Sequence, residues 1–286
     1  MPQPLVRLAA ALALVAAPAL LVAQPGGGNP RMREASRLDA DGKTAEARAI
    51  IQQMIDSAAD PAARAAAQRT MAMSYAFDGD CRNTARYEQM VIDYWKTREA
   101  AEPQNAFYQE GEMANEAARV CIDAGDLAEA ERLYRLGREL GLEEPAPKTH
   151  SASLWEFRTE HALARLAARR GDKAAAQRHV AAARRTLDAD TAMARQQERF
   201  FPYLTGYVAL YTNDLATAEA DFTRALAMPG NDRDPFMTFL LAETFAKKGD
   251  KAKARELYQK AYDLASAHNP PAALVRPNAR KKLAAP

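Results

Sequence analysis

Short polar turns alternate along this chain with segments in which apolar residues return every three or four positions. A Gly-Asp turn is followed by three residues, an Ala, three residues, a large apolar or aromatic residue, two residues and a small residue. The two clearest copies run from Gly125 through Ala130 and Tyr134 to Gly137, and from Gly249 through Ala254 and Tyr258 to Ala261. Three to four residues is the helical period, so the pattern predicts an amphipathic helix after each turn.

A further helix is predicted before each turn, because a small residue occupies the same position there in every copy. Seven residues before the turn residue stand Ala35, Ala72, Ala118, Ala164, Gly206 and Ala242. Small residues let two helices approach to the short end of the usual separation of about 8–10 Å. Gly or Asn at the turn tolerates the left-handed conformation that ends the first helix, and the Asp beside it can cap the second. The predicted unit is helix, tight turn, helix, and successive units stack.

The turn residues are unevenly spaced along the chain. They are Gly42, Gly79, Gly125, Gly171, Asn213 and Gly249, which gives intervals of 37, 46, 46, 42 and 36 residues. Longer helices or loops must fill the longer intervals. Residues 143–149, with Pro145 and Pro147, are predicted as a loop, and 191–201 as added helix that bends or ends near Pro202. A carboxylate before Pro marks helix starts at Pro61, Pro103 and Pro235.

Composition excludes several classes of protein. The chain has 286 residues, of which 48% are hydrophobic, so a packed core can form. Lys and Arg number 39 and Asp and Glu 37, and this balance gives no support for a nucleic-acid binder. Two cysteines are too few for a disulfide scaffold or a four-thiolate zinc site. The four histidines are scattered, and we predict no metal site, no cofactor and no catalytic residues.

The N-terminal segment is typical of a secretory signal peptide. One positive charge precedes an apolar run from Leu8, and small residues fit cleavage after Ala19 or Ala23. An uncleaved anchor is the alternative, although the apolar run is shorter than the roughly 20 residues that a membrane span needs. We assign 1–23 as signal peptide, 24–30 as flexible spacer, 31–268 as the helical repeat domain and 269–286 as a C-terminal tail. The predicted location is periplasmic or secreted.

The tail carries a small basic cluster. Its members are Arg276, Arg280, Lys281 and Lys282. Such a cluster at a chain end is typical of a disordered terminus, and a contact with anionic partners is the alternative.

The Gly-Asp-x-x-x-Ala-x-x-x-Tyr runs at Gly125 and Gly249, closed by Gly137 and Ala261, resemble the tetratricopeptide repeat (TPR) family. The resemblance covers about residues 31–267 and departs from the family in spacing, since the usual period is 34 residues. It implies an all-α fold in which about six helix-turn-helix repeats stack as an α-solenoid. An irregular helical bundle is the rival fold.

The resemblance also implies a superhelix whose concave face is lined by the first helix of each unit. Exposed positions on that face combine arginine with aromatic residues. We name ten of them the groove residues: Arg119, Arg158, His161, Arg165, Arg169, Tyr203, Tyr207, Tyr211, Phe236 and Phe239. Arg pairs with carboxylates and Tyr offers rigid contact area with a polar tip, so the set predicts a peptide-binding groove. The alternative is that the aromatics pack between adjacent units and the arginines form a solvated face.

Both cysteines are predicted at neighbouring helix ends. Cys81 begins the second helix of the second unit, and Cys121 lies near the end of the first helix of the third. In an oxidising compartment we expect a Cys81–Cys121 disulfide. Two buried free thiols are the alternative.

Together these features predict an exported, non-enzymatic adaptor that binds a protein or peptide partner. Nucleic acid is not expected as a partner, and no membrane span is expected once the signal segment is removed. Two alternatives stay open. One is a structural envelope component that assembles with copies of itself, and the other is a subunit of an enzyme complex whose site the sequence does not reveal.

Overall fold

The computed structural model describes residues 29–285, and most of this range is helical. In chain order the α-helices are α1 (Pro30–Ala40), α2 (Thr44–Asp56), α3 (Pro61–Phe77), α4 (Cys81–Lys96), α5 (Pro103–Ala124), α6 (Leu127–Leu142), α7 (Ala152–Arg169), α8 (Lys173–Ala189), α9 (Thr191–Gln197), α10 (Phe201–Tyr211), α11 (Leu215–Ala227), α12 (Pro235–Lys248), α13 (Lys251–Leu264) and α14 (Pro270–Ala284). No strand occurs within the described range, which confirms the all-α prediction. The predicted signal peptide and all but the end of the predicted spacer lie outside the described residues.

The predicted turns are present at every expected position. A positive φ, between 64° and 89°, is adopted by Gly42, Gly79, Gly125, Gly171, Asn213 and Gly249. The next residue is an Asp after five of these turns, and its side chain accepts a hydrogen bond from the backbone N–H three residues later, as at Asp126 and Asp250. Each of these five turns therefore ends one helix and caps the next.

Small residues at the predicted register lie where helices cross. Fully buried are Ala35, Ala72, Ala118, Ala164 and Ala242. At the equivalent position of α10, a Cβ added to Gly206 would lie 3.0 Å from the Phe222 ring. A larger side chain at any of these positions would push the helices apart.

Helices pack mainly against their neighbours along the chain. The tight turns join α1 to α2, α3 to α4, α5 to α6, α7 to α8, α10 to α11 and α12 to α13, and the two helices of each pair are in contact. We refer to the earlier member of each pair as its first helix. The extra stretch 191–201 forms α9 and one turn of 3-10 helix (Glu198–Phe200), and 143–149 is a loop, both as predicted.

The C-terminal tail is a helix, so the prediction of a disordered terminus is wrong. The Asn269 side chain caps α14 by accepting from the Ala272 N–H. The helix packs against α3, α5 and α12 as well as α13. One continuous hydrophobic core therefore joins α1–α4 to α10–α14, with Met71 of α3 and Leu274 of α14 among its members. The contacts that order α14 come largely from distant parts of the chain.

A disulfide joins α4 to α5. Cys81 and Cys121 are bonded, with their Cα atoms 4.7 Å apart and 40 residues of sequence separation. The expected pairing is thus present in the structure. It connects the second helix of one pair to the first helix of the next.

Candidate functional site

The ten groove residues all lie on first helices. They are on α5 (Arg119), α7 (Arg158, His161, Arg165 and Arg169), α10 (Tyr203, Tyr207 and Tyr211) and α12 (Phe236 and Phe239). The expectation that they are exposed is wrong for five, since His161, Arg165, Tyr203, Tyr207 and Phe239 are buried. Half-buried are Arg119, Arg158, Arg169, Tyr211 and Phe236, which we name the accessible groove residues. A role in binding stays a prediction for all ten.

Arg165 is the centre of the buried part, with 7% of its surface exposed. Its Nη1 donates to the Tyr203 hydroxyl at 3.2 Å, and its Nη2 donates to the Tyr134 hydroxyl at 2.9 Å. Its Nε donates to the His161 carbonyl at 3.3 Å. Because Tyr134 lies on α6 and Tyr203 on α10, one guanidinium ties α6, α7 and α10 together. These contacts are to hydroxyls and a carbonyl rather than to a carboxylate, so no opposite charge neutralises the guanidinium through them.

Arg169 repeats this arrangement one turn later, at the edge of the buried part. Its Nη1 donates to the Tyr207 hydroxyl at 3.3 Å, and its guanidinium carbon lies 4.9 Å from the centre of the Tyr211 ring. The Tyr207 and Tyr211 rings are themselves in contact, with centroids 4.6 Å apart. Since Arg169 and Tyr211 are half-buried, this edge offers an outside molecule a guanidinium group beside an aromatic ring.

The buried part carries positive charge at neutral pH. Burial, and then the neighbouring Arg165, lower the pKa of His161 well below its ordinary value, so the imidazole is neutral. Burial raises the pKa of the Tyr203 and Tyr207 hydroxyls, which therefore keep their protons. Burial alone would lower the pKa of Arg165, but the tyrosines around it raise that pKa above the ordinary value. The guanidinium stays protonated, and no negative group forms in the cluster.

The other two accessible arginines lie near carboxylates. Arg158 forms an ion pair with Glu112, and its guanidinium carbon is 5.1 Å from the centre of the Trp155 ring. Burial lowers the pKa of Arg119, but Glu112 raises it above the ordinary value. Glu112 partly offsets the charge of these two arginines, as Asp123 partly offsets that of Arg169.

A different part of the first helices is covered by α14, which contacts them through polar side chains. Arg276 Nε and Arg280 Nη2 both donate to the carbonyl of Ala40, at the end of α1, each at 2.7 Å. Asn278 Nδ2 donates to Asp123 Oδ2 at 3.4 Å. The basic cluster that the sequence places in a free tail is therefore engaged with the chain itself.

Further contacts hold the two ends of α14. Near its C-terminus, Lys282 Nζ lies 2.7 Å from Glu243 Oε1. Just before its N-terminus, His268 Nε2 lies 2.8 Å from Asp39 Oδ2, and the other Asp39 oxygen accepts from Ser74 Oγ at 2.7 Å. We name the surface that α14 covers the α14 seat and define it by Asp39, Ala40, Asp123 and Glu243.

Sequence reasoning missed Tyr134 and the α14 seat. Tyr134 fills the large-residue position of its repeat and reads as core, yet its hydroxyl reaches Arg165. Residue type alone could have indicated this contact. A buried Tyr hydroxyl needs a hydrogen-bond partner, whereas Leu or Phe at that position would need none. The seat joins residues that are far apart in sequence, and no local pattern marks them.

Two features within residues 29–285 concern metal ions and membranes. In that range no three His, Cys, Asp or Glu side chains are grouped so that they could hold a metal ion. None of the helices described combines the length and apolar character needed to cross a bilayer.

No protein-family model matches the chain, and no curated protein matches it in sequence. A function must therefore be inferred from the residues and their contacts.

Proposed function

We propose that the chain is an exported, non-enzymatic scaffold of the tetratricopeptide type, with about six repeats stacked as a solenoid. It binds a protein or peptide partner through the accessible groove residues and needs no cofactor. The observation that carries the proposal is the edge formed by Arg169 and Tyr211, where a guanidinium and an aromatic ring are half-buried on a rigid cluster.

Equivalence between the helix pairs supports the repeat interpretation. Five residues after the turn residue, each second helix has a buried small residue: Ala47, Thr84, Ala130, Ala176, Ala218 and Ala254. Burial of the same position in every pair is expected when equivalent units stack. An irregular bundle has no reason to bury one register throughout.

The chemistry of the edge favours a peptide partner with an acidic side chain beside an apolar one. Arg and Tyr are enriched among the residues that dominate binding energy at interfaces. Arg169 is held by the Tyr207 hydroxyl, so little side-chain entropy remains to be lost on binding. A carboxylate of the partner can pair with this guanidinium while an apolar side chain packs on the Tyr211 ring.

Two features support an exported protein. The first segment of the sequence is typical of a signal peptide. The Cys81–Cys121 disulfide belongs with an oxidising compartment, because cytosolic thiols are usually kept reduced.

Affinity capture with a matched pair of variants tests the proposal. Tagged chain is expressed in its native host, and captured proteins are identified by mass spectrometry. The variant Arg169→Ala/Tyr211→Ala should lose the partner that the parent chain captures. The control Arg178→Ala/Tyr94→Ala, on second helices, should retain it. Equal capture by both variants, at equal melting temperatures, contradicts the proposed surface.

Self-assembly through the chain ends has less support than partner binding. In a solenoid that polymerises, the terminal units carry free faces. Here α14 reaches the end of α1 through Arg276 and packs against α12, so both terminal pairs already share a covering helix. Light scattering over a concentration series tests the alternative, which requires the mass to rise with concentration.

A further inference from the structure

The polar contacts of α14 are complementary in charge to its seat. The helix carries Arg276, Arg280, Lys281 and Lys282 and contains no acidic residue. On the seat, Glu243 pairs with Lys282, and Asp123 accepts from the neutral Asn278. The Ala40 carbonyl accepts from Arg276 and Arg280, and Asp39 pairs with His268 just before the helix. A segment that binds there needs arginines one helical turn apart, as Arg276 and Arg280 are, to reach the end of α1.

The interior of α14 contributes few large apolar side chains to the core. The buried apolar side chains of the helix interior are Ala272, Ala273, Leu274, Val275 and Ala279. Only Leu274 and Val275 among them bury more than a methyl group. Since apolar stabilisation grows with the area removed from water, this anchor is small for a helix of four turns.

The backbone of α14 is also weak. Pro277 stands inside the helix, so the hydrogen bond that a residue there would donate to the Ala273 carbonyl is missing. A cavity of about 250 Å³ lies beside this point, lined in part by Phe77, Gly42, Pro277 and Lys281. The cavity is open to solvent, so water reaches this part of the contact between α14 and α1. We expect such a helix to open at lower free energy than the helices it covers.

From these observations we propose that the α14 seat is a docking site for a basic amphipathic helix of a partner polypeptide, and that α14 is the internal segment this partner displaces. The inference rests on the proposed function, since the seat shares α5 and α12 with the accessible groove residues. The partner helix matches α14 in its paired arginines and in the small residues that face the core. Its binding and the closure of α14 exclude each other.

A labelled peptide of residues 268–285 is the probe, and fluorescence anisotropy is the measurement. The full chain with Arg276→Ala/Arg280→Ala has lost the internal contacts to Ala40, so its seat should take the peptide at least about tenfold more tightly than the parent does. The control Arg178→Ala/Arg185→Ala removes two exposed arginines of α8 and should behave like the parent. A peptide with glutamate at both arginine positions should not bind. Equal binding of the two peptides, or no gain in the variant, overturns the proposal.

Hydrogen exchange on the parent chain is an independent check that needs no variant. The amides of α14 should exchange faster than those of α5 and α12, because displacement requires α14 to open first. Equal protection in the three helices overturns the proposal. If light scattering shows that the variant is a dimer, the seat binds α14 of a second copy. That result would overturn the proposal that the partner is a different polypeptide. The capture experiment with Arg169→Ala/Tyr211→Ala does not depend on α14, so the two proposals fail separately.

Discussion

The first helices are covered in two different ways. Around Arg165, neighbouring helices cover one another. The guanidinium on α7 donates to one tyrosine hydroxyl of α6 and one of α10. At the α14 seat the cover is a separate helix. Its contacts combine buried apolar side chains, such as Leu274, with polar ones, such as Arg276 on the Ala40 carbonyl.

This difference determines which part of the surface can open. The Arg165 cluster belongs to the helices it joins, so separating its members means unpacking α7 from α10. Under our proposal, by contrast, α14 leaves its seat while the helix pairs stay packed. A partner at the cluster would then contact only its edge, whereas a partner at the seat would cover a whole helical surface.

The largest expected effect is from a truncation within the cluster. Tyr207 is 2% exposed and packs against Arg165, Arg169 and Tyr211. Tyr207→Ala should lower the free energy of unfolding by about 3–5 kcal/mol, because it leaves a cavity and an unpaired Arg169. Chemical denaturation measures this loss. The control Tyr211→Ala removes a half-buried ring and should cost less, and equal losses would mean that the cluster is no more essential than its edge.

The disulfide links α4 to α5. On α5, Ala118 and Cys121 belong to a hydrophobic cluster that also contains residues of α7. On α4, Tyr87 belongs to the core that joins α1–α4 to α10–α14. Cys81→Ser/Cys121→Ser should cost about 2–4 kcal/mol, since the bond closes a long loop in the unfolded chain. Thermal unfolding with and without reductant measures the effect. Mass spectrometry of protein from its native compartment must also show the bond, and two free thiols there would contradict it.

A smaller and more local effect is expected at the seat. Arg276 donates to the carbonyls of Ala40, Tyr262 and Ala265. Arg276→Ala should cost about 1–3 kcal/mol, because three carbonyls at helix ends lose a charged donor. Faster hydrogen exchange confined to α14 is the expected signature. Lys282→Ala, which removes an exposed ion pair with Glu243, should cost at most about 1 kcal/mol.

A further expected effect is a dependence of stability on pH. Burial raises the pKa of Asp123, which accepts from Asn278 of α14, to about 6 from an ordinary 3.8. The folded state then binds more protons than the unfolded state between these values, so this contribution to stability is present at low pH and is lost as pH rises from about 4 to about 6. The difference between parent and Asp123→Asn in denaturation curves isolates it. A constant difference across that window would contradict the assignment.

The local features of the fold were predictable because each depends on a few adjacent residues. The positive φ of Gly125 and Asn213, the caps by Asp126 and Asp250 and the helix start at Pro103 all follow from short-range sterics and hydrogen bonds. The buried small residue of each first helix was predictable for another reason. The position seven residues before each turn is small in every copy. A single Ala there would be ambiguous, but its repetition indicates a helix contact.

The features that the sequence did not reveal depend on contacts between distant segments. Burial of Arg165 and Tyr203 requires α10 to lie against α7, across the inserted α9, and no local pattern determines that packing. Glu88 occupies a large-residue position of the repeat and is buried, although a charged side chain there predicts exposure. Burial raises the pKa of Glu88 well above its ordinary value, which is how the core tolerates it. For α14, the prolines and the basic residues argue locally against order, and only tertiary contacts overcome them.

The pairing of His268 with Asp39 also constrains when the molecule can finish folding. The two residues are 229 positions apart, and Arg280 reaches Ala40 across 240. Each helix pair can form from local contacts, whereas the contacts between α1 and α14 close a loop that contains almost every other helix. Because closing a long loop costs entropy, we expect α14 to settle onto α1 after the helix pairs have formed.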